Sequence, residues 1–269
     1  MVSGGMKKKT LYIASFSGGK DSLAMVLKLI KLKWVLDIVL FYDTGKEFSC
    51  VYKIVEQIKS LCESNGIKFV HLKPDMDFDY VAFEKPVDCL DGSKKIGYSW
   101  CGGRCRWATT MKLEAIDKYY DTLGDEYFIV EYVGIAADEK ERAEEKRLQR
   151  FNGKAKIYPL IEWNMSEAQC KQYCYSEGYN WEEDEGRGKV DLYQILKRVS
   201  CWCCGNKNLD ELRNIFRFLP KTWEKLKEMQ RRTCIPFYDN KWTIFDLEMR
   251  FAVEGISWDM FDYAKEKNI

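Results

Sequence analysis

Ser17-Gly18-Gly19-Lys20-Asp21-Ser22 decides how the rest of the chain is read. An apolar β-type run, Leu11 to Phe16, precedes it. An apolar-periodic run through Leu23, Met25, Val26, Leu27, Leu29 and Ile30 follows, spaced as one face of a helix. A polar Gly-Gly turn between a strand and a helix suits an anion. The glycines let the backbone come close without a Cβ clash, and the first amides of the helix point outward with partial positive charge. Lys20 adds a full positive charge, Ser17 and Ser22 add hydroxyl donors, and Ser15 stands at the end of the strand. Asp21 fits an anion site once a divalent cation is included, because Mg²⁺ binds a carboxylate and phosphate oxygens together. The spacing is not that of a Walker loop, whose Lys is followed by Ser or Thr. A bare turn that binds nothing would have no need of Lys-Asp in this setting.

The chain around this loop has 269 residues, enough for one large α/β domain or one domain and a small appendage. Its apolar and aromatic content is that of a globular protein. A formal net charge of +1 provides no global pull towards nucleic acid or membrane. Residues 1–9 read as a disordered start or tag ahead of Met6, without a signal core, and no apolar run reaches transmembrane length. The expected location is the cytoplasm, with no membrane partner. A single histidine, His71, excludes a multi-His metal site and a Ser-His-Asp arrangement with a spare His, and it reads as structural.

Downstream of the loop, Val35–Tyr42 is a nearly continuous apolar run, as expected of a strand buried in a parallel sheet. It ends in Asp43-Thr44-Gly45, at the edge of the same crevice as the loop, which makes Asp43 and Thr44 candidates for ribose or metal. A helix is expected from Glu47 to Asn65 with Gly66 as its stop, then a strand over Ile67–Leu72. Residues 74–98 are polar and read as an irregular lid or insertion. A helix over Ala108–Tyr120 and a strand over Tyr127–Val133 follow. That strand leads to Gly134, Asp138, Glu139 and Arg142 at the same sheet edge, in a stretch whose charge otherwise suits a solvated helix. Ser166 is a good N-cap, 178–190 reads as a loop, and helices are expected over 206–218 and 221–232 and in a tail from 242.

Eleven cysteines in a reducing compartment are expected as thiols or metal ligands rather than disulfides. Most are scattered, Cys234 among them, and suit ordinary thiols. Cys101 and Cys105 precede one helix, and Cys201 and Cys204 precede another, about a hundred residues on. Two such pairs are how loops assemble a four-thiolate site, and either zinc or a [4Fe–4S] cube takes that donor set. Cys203 is the spare thiol in that loop, able to replace Cys201 or to sit beside the site.

The loop resembles the pyrophosphate loop of the N-type ATP pyrophosphatases, whose signature is SGGKDS. With Asp43-Thr44-Gly45 it is similar to the phosphoadenosine phosphosulfate (PAPS) reductase branch of that superfamily. Gly134, Glu139 and Arg142 match a further segment of the branch, with Ala136 where Arg is usual and Lys140 where Ser is common. The resemblance implies a Rossmann-like α/β fold: a twisted, mostly parallel sheet with helices on both faces, completed by a helical, Cys-rich C-terminal part. The implied division is a nucleotide-binding domain over 10–165 with an insertion at 73–107, and a helical region over 166–269 that completes the metal site.

The activity implied is cleavage of ATP to AMP and pyrophosphate, adenylylating an acceptor for sulfur transfer. Lys20, Asp21, Glu139 and Arg142 are the implied catalytic residues. Ser15, Ser17, Gly18, Gly19, Lys20, Asp21, Ser22, Asp43, Thr44 and Gly134 would hold ATP and Mg²⁺. Relatives with a cluster carry one [4Fe–4S] between two such cysteine pairs, which favours the cube over zinc. The acceptor stays open among tRNA, DNA and a small molecule, and a homodimer is an open option. Two alternatives remain: reduction of PAPS or its dephospho form to sulfite, and a nucleotide-binding accessory or sensor protein without turnover.

Overall fold

The computed structural model describes residues 8–89, 91–100, 105–147 and 154–266. They divide into two compact units, one drawn from Met1–Asp75 and Ala108–Trp181, the other from Met76–Trp107 and Glu182–Ile269.

The first unit is built on a five-stranded parallel sheet. Its strands are β1 (Lys9–Phe16), β2 (Ile38–Tyr42), β3 (Lys68–Leu72), β4 (Tyr127–Val133) and β5 (Lys154–Ile157), in the spatial order β3-β2-β1-β4-β5. All five residues of β2, Ile-Val-Leu-Phe-Tyr, are buried, which is why its sequence is continuous rather than alternating. Successive side chains point to opposite faces. Ile13, Ile38, Leu40, Val70 and Ile129 share one face and pack with Ile116 and Tyr120, which lie on α3 (Lys112–Thr122). Phe16, Val39, Phe41 and Val130 have the opposite parity and are buried too, so both faces are covered, as expected. α1 (Lys20–Lys31) and α2 (Ser49–Ser64) pack on β1 and β3.

The chain steps outward from β1 to β2 to β3, then returns to the other side of β1 with β4. The carboxyl ends of β1 and β4 therefore flank the point where strand order reverses, the place where open α/β sheets bind ligands. Gly66, at φ +69°, ends the α2 turn as expected. Beyond β4, the segment Ala137–Glu139 makes a 3-10 turn into α4 (Lys140–Arg147). α5 (Glu167–Ser176) starts at Ser166, whose side chain and Gln169 form a reciprocal capping box. α5 lies in the same unit as the sheet, whereas the sequence reading grouped 166–269 together.

The second unit holds two departures from expectation. The stretch 74–98 is not irregular. It contains a short helix, Phe78–Phe83, started by the Asp77 carboxylate, and an antiparallel pair, Pro86–Asp88 with Lys94–Ile96. The expected loop at 178–190 contains a hairpin, Glu182–Asp184 with Lys189–Asp191. Gly186 and Gly188 turn it at φ +96° and +90°. Both pieces are too short for periodicity to register. The longer helices of this unit are α6 (Leu209–Phe218), α7 (Pro220–Gln230) and α8 (Ile244–Glu266). Pro220 is the first residue of α7, where its missing N–H costs nothing. Phe216, Trp223 and Phe251 meet between α6, α7 and α8 with ring centroids 5.3 to 5.9 Å apart. Among the described residues, no helix is long and apolar enough to cross a membrane.

Candidate nucleotide site and cysteine loop

The loop between β1 and α1 is shaped by two glycines that nothing larger could replace without movement. Gly18 takes φ +74°, and a Cβ there would sit 2.6 Å from Val51 Cγ1. Its carbonyl accepts a hydrogen bond of 2.9 Å from the indole Nε1 of Trp181, a fully buried side chain. Gly134, at the end of β4, lies against the first turn of α1, where a Cβ would be 2.9 Å from Ser22 Cα. Gly19 caps α1 without a side-chain bond, so the first amides of the helix face the loop. Ser22 Oγ ties the turn together, donating to the Gly19 carbonyl at 3.0 Å and accepting from Ser17 N at 3.1 Å. The Ser17 and Ser22 hydroxyls lie 3.0 Å apart.

Lys20 is buried within this turn. Its Nζ contacts both oxygens of Asp21, at 3.1 and 3.0 Å, and Glu167 Oε2 at 2.6 Å. Burial disfavours the ammonium, but the hydrogen bond to Glu167 and the charge of Asp21 outweigh it, so its pKa lies above the ordinary lysine value. Burial also raises the pKa of Asp21, against the attraction of Lys20, and the charges of Glu167 and Glu139 add to the rise. Glu139 in turn accepts from Arg142 Nη1 at 3.0 Å. The structure thus brings Ser17, Gly18, Gly19, Lys20, Asp21, Ser22, Gly134 and Glu139 together around the start of α1, with Arg142 reaching them through Glu139.

Other expected site residues are engaged within the protein. Ser15 Oγ donates to Glu131 Oε1 on the neighbouring strand at 2.7 Å. Both oxygens of buried Asp43 are occupied. Oδ1 accepts from the Tyr52 hydroxyl and from Gly45 N, each at 2.8 Å, and Oδ2 lies 3.1 Å from His71 Nε2. Burial, followed by the Asp43 carboxylate, holds the Tyr52 phenol protonated well above its usual range. Thr44 Oγ1 donates to Glu47 Oε1 at 2.7 Å.

The cysteine loop belongs to the second unit. Cys101 lies outside the described residues, so the expected four-thiolate set is described only through Cys105, Cys201 and Cys204. Cys204 N donates to the Cys201 carbonyl at 3.0 Å and Lys207 N to the Cys204 carbonyl at 3.2 Å, which folds the loop back on itself ahead of α6. Lys207 is 3% exposed, with Nζ 3.1 Å from Ser200 Oγ. Burial pushes its ammonium pKa down, and the charges of Cys204, Glu211, Cys201 and Cys203 offset this only in part. Negative charge on those sulfurs would favour the ammonium, and thiolate is the form in which cysteine binds a metal. Among the described residues, however, no group of three or more His, Cys, Asp or Glu side chains is placed to hold a metal ion.

A family model, the phosphoadenosine phosphosulfate reductase domain, matches residues 12–183, well over half of the chain. The chain belongs to that family. It is also similar to the uncharacterized protein MJ0066 of Methanocaldococcus jannaschii, 29% identical over 229 residues that make up 83% of this chain. The chain spans only 42% of that relative's length. Among solved structures it resembles the U34-tRNA thiolase NcsA from Methanococcus maripaludis with its [4Fe-4S] cluster, at 12% identity. The TM-score is 0.43, over 92% of this chain and 73% of that one.

Sequence reasoning missed Glu167 and Trp181, and it placed Asp138 at the sheet edge without its contact, a carboxylate that accepts from Glu167 N at 3.0 Å. It also left His71 apart from Asp43. Each of these acts through a contact with a residue far away along the chain, and no local motif announces such a contact. In a family member the one available signal was the placement of Glu167 on the helix start that follows Ser166.

Proposed function

We propose that this chain is an ATP-using enzyme that cleaves between the α and β phosphates, adenylylates an acceptor for sulfur transfer, and retains pyrophosphate on the loop 17–22. The observation that supports this best is Lys20. A buried, charged lysine stands at the start of α1 where strand order reverses, beside helix amides that no side chain caps. That arrangement stabilises charge developing on a leaving pyrophosphate, and it needs no reorganisation when the bond breaks.

The other residues have distinct roles. Gly18 and Gly19 admit the phosphates to the backbone, and Ser17 and Ser22 offer hydroxyls. Asp21 would hold Mg²⁺, which keeps most of its ligands as water and phosphate and so needs only one or two carboxylates. When bound, that ion neutralises phosphate charge. Arg142, held by Glu139, is the second cation assigned to the site. Asp43 fixes the turn at Gly45 and presents Thr44 at the same sheet edge for the nucleoside. Cys101, Cys105, Cys201 and Cys204 are assigned as ligands of a metal, an iron–sulfur cube in preference to zinc. The acceptor is a tRNA, a DNA or a small molecule.

The test is pyrophosphate release from Mg·ATP by the purified protein. Lys20→Ala is expected to lower it by about a hundredfold or more, the scale of losing one preorganised charge donor. Nucleotide binding with no release, in protein supplied with candidate acceptors, would favour a sensor. Sulfite from PAPS with no pyrophosphate from ATP would favour a reductase.

A further inference from the structure

Glu167 makes the shortest contact to Lys20, and neither the loop motif nor the proposed chemistry has a use for it. The loop 17–22 carries one full positive charge, and two carboxylates meet it: Asp21 from the next residue and Glu167 from a helix 147 positions downstream. The backbone of Glu167 is fixed. It opens α5, its N–H is bound by Asp138 at 3.0 Å, and the preceding Ser166 closes a capping box. α5 also packs beside α1, with Cys170 and Cys174 fully buried and the Cys174 thiol 3.3 Å from the Lys20 carbonyl. The side chain of Glu167 is different: it is 38% exposed, against 11% for Lys20. It can turn towards solvent while its helix stays in place.

We propose that Glu167 is an internal competitor for the anion site, its carboxylate taking the place at Lys20 that a phosphate oxygen of the ligand takes on binding. The proposal rests on the reading of loop 17–22 as a pyrophosphate site. An incoming polyphosphate then meets a lysine already balanced by two negative charges. It must displace Glu167, and a divalent cation eases the exchange by screening the displaced carboxylate from the phosphates. Glu167 thereby makes the site selective for cation-bound polyphosphate over the free anion. Glu167→Gln keeps the size and a hydrogen-bonding oxygen but removes the charge.

The experiment is calorimetric titration of the full chain with inorganic pyrophosphate, with and without Mg²⁺, using the unmodified protein, Glu167→Gln, Glu167→Ala, Lys20→Ala and the Lys20→Ala/Glu167→Gln double variant. The expected result is about tenfold tighter binding by Glu167→Gln without Mg²⁺, a gain of about 1.4 kcal/mol. With Mg²⁺ the gain should be smaller, and in the Lys20→Ala background it should be absent. Glu167→Ala should follow the same direction, so a folding defect in either variant does not decide the outcome. Binding by Glu167→Gln that is unchanged or weaker, while the unmodified protein binds with Mg²⁺, overturns this proposal alone and makes Glu167 a cation ligand or a structural residue. An equal gain without Lys20 also overturns it. No binding by any of these proteins, with or without Mg²⁺, overturns the pyrophosphate reading itself.

Discussion

Two buried lysines, Lys20 and Lys207, stand close ahead of or within the first turn of a helix, and their surroundings are opposite in kind. Lys20 has carboxylates, Asp21 and Glu167, at hydrogen-bond distance, and its charge is reinforced beyond that of a free lysine. Lys207 has a hydroxyl, Ser200, at that distance and sulfurs around it, and burial weakens its charge. The Glu211 carboxylate, whose charge offsets part of that cost, accepts from the backbone N–H groups of Lys197 and Asn208. The first lysine can exchange one anion for another. Negative charge on Cys204, Cys201 and Cys203 favours the second, as it would if those cysteines bound a metal as thiolates. On the proposed reading, the first loop offers an anion site made by its own residues, and the second would complete its charge with metal-bound thiolates.

The largest expected effect falls on the first lysine, through the loss of pyrophosphate release in Lys20→Ala. Next is Cys204→Ala in the second loop. On the proposed metal assignment, it should remove most of the iron or zinc that co-purifies with the protein, measured by elemental analysis after anaerobic purification. Metal content equal to that of the unmodified protein would break the comparison, because the cysteine loop would then not be the metal's site. An intact metal content in Lys20→Ala is the matching control, since that lysine belongs to the other unit.

The two regions also differ in how much of them the sequence discloses. The loop at 17–22 is contiguous, so its strand, glycines, lysine and helix are all visible in one short stretch, and the parallel order of the sheet follows from the apolar runs on either side. Gly134 could be placed because it ends a strand. The partners that tune the loop could not: Glu167 and Trp181 reach it from 147 and 163 positions away. Asp43 was legible as a strand-end carboxylate, yet its engagement was not, since Tyr52 reaches it from α2 and His71 through the register of β2 with β3. The cysteine loop is legible only as spacing. Phe78–Phe83 and the two short hairpins escape because three to six residues carry too little period to separate helix, strand and turn.

A smaller effect is expected from Gly18→Ala, which tests whether the loop is held as rigidly as its contacts imply. The residue would have to adopt φ +74° and place a Cβ 2.6 Å from Val51 Cγ1 on α2. Left-handed strain and crowding together should cost about 2 to 3 kcal/mol of stability. Denaturant unfolding monitored by circular dichroism measures it. A cost near zero would mean that the turn has room to shift, and the fixed geometry claimed for the anion site would fail with it.

The smallest effect belongs to Trp181→Phe, and it separates support of the loop from packing beneath it. Trp181 is fully buried, packs edge-on against Tyr175 at 6.0 Å, and donates to the Gly18 carbonyl. Phenylalanine keeps much of the ring and loses the donor, leaving a buried carbonyl with one partner fewer, at a cost of about 1 to 2 kcal/mol. If the indole serves only as filler, stability falls and pyrophosphate affinity in the protein that remains folded is unchanged. If the bond fixes the direction of the Gly18–Gly19 peptide, the affinity falls as well, because that peptide sets where the first amides of α1 point. Titration of Trp181→Phe with Mg·pyrophosphate, well below its unfolding temperature, distinguishes the two. The carbonyl of Gly18 faces the indole, so the N–H of Gly19 in the same planar peptide faces the opposite way. A weaker affinity is therefore the expected result.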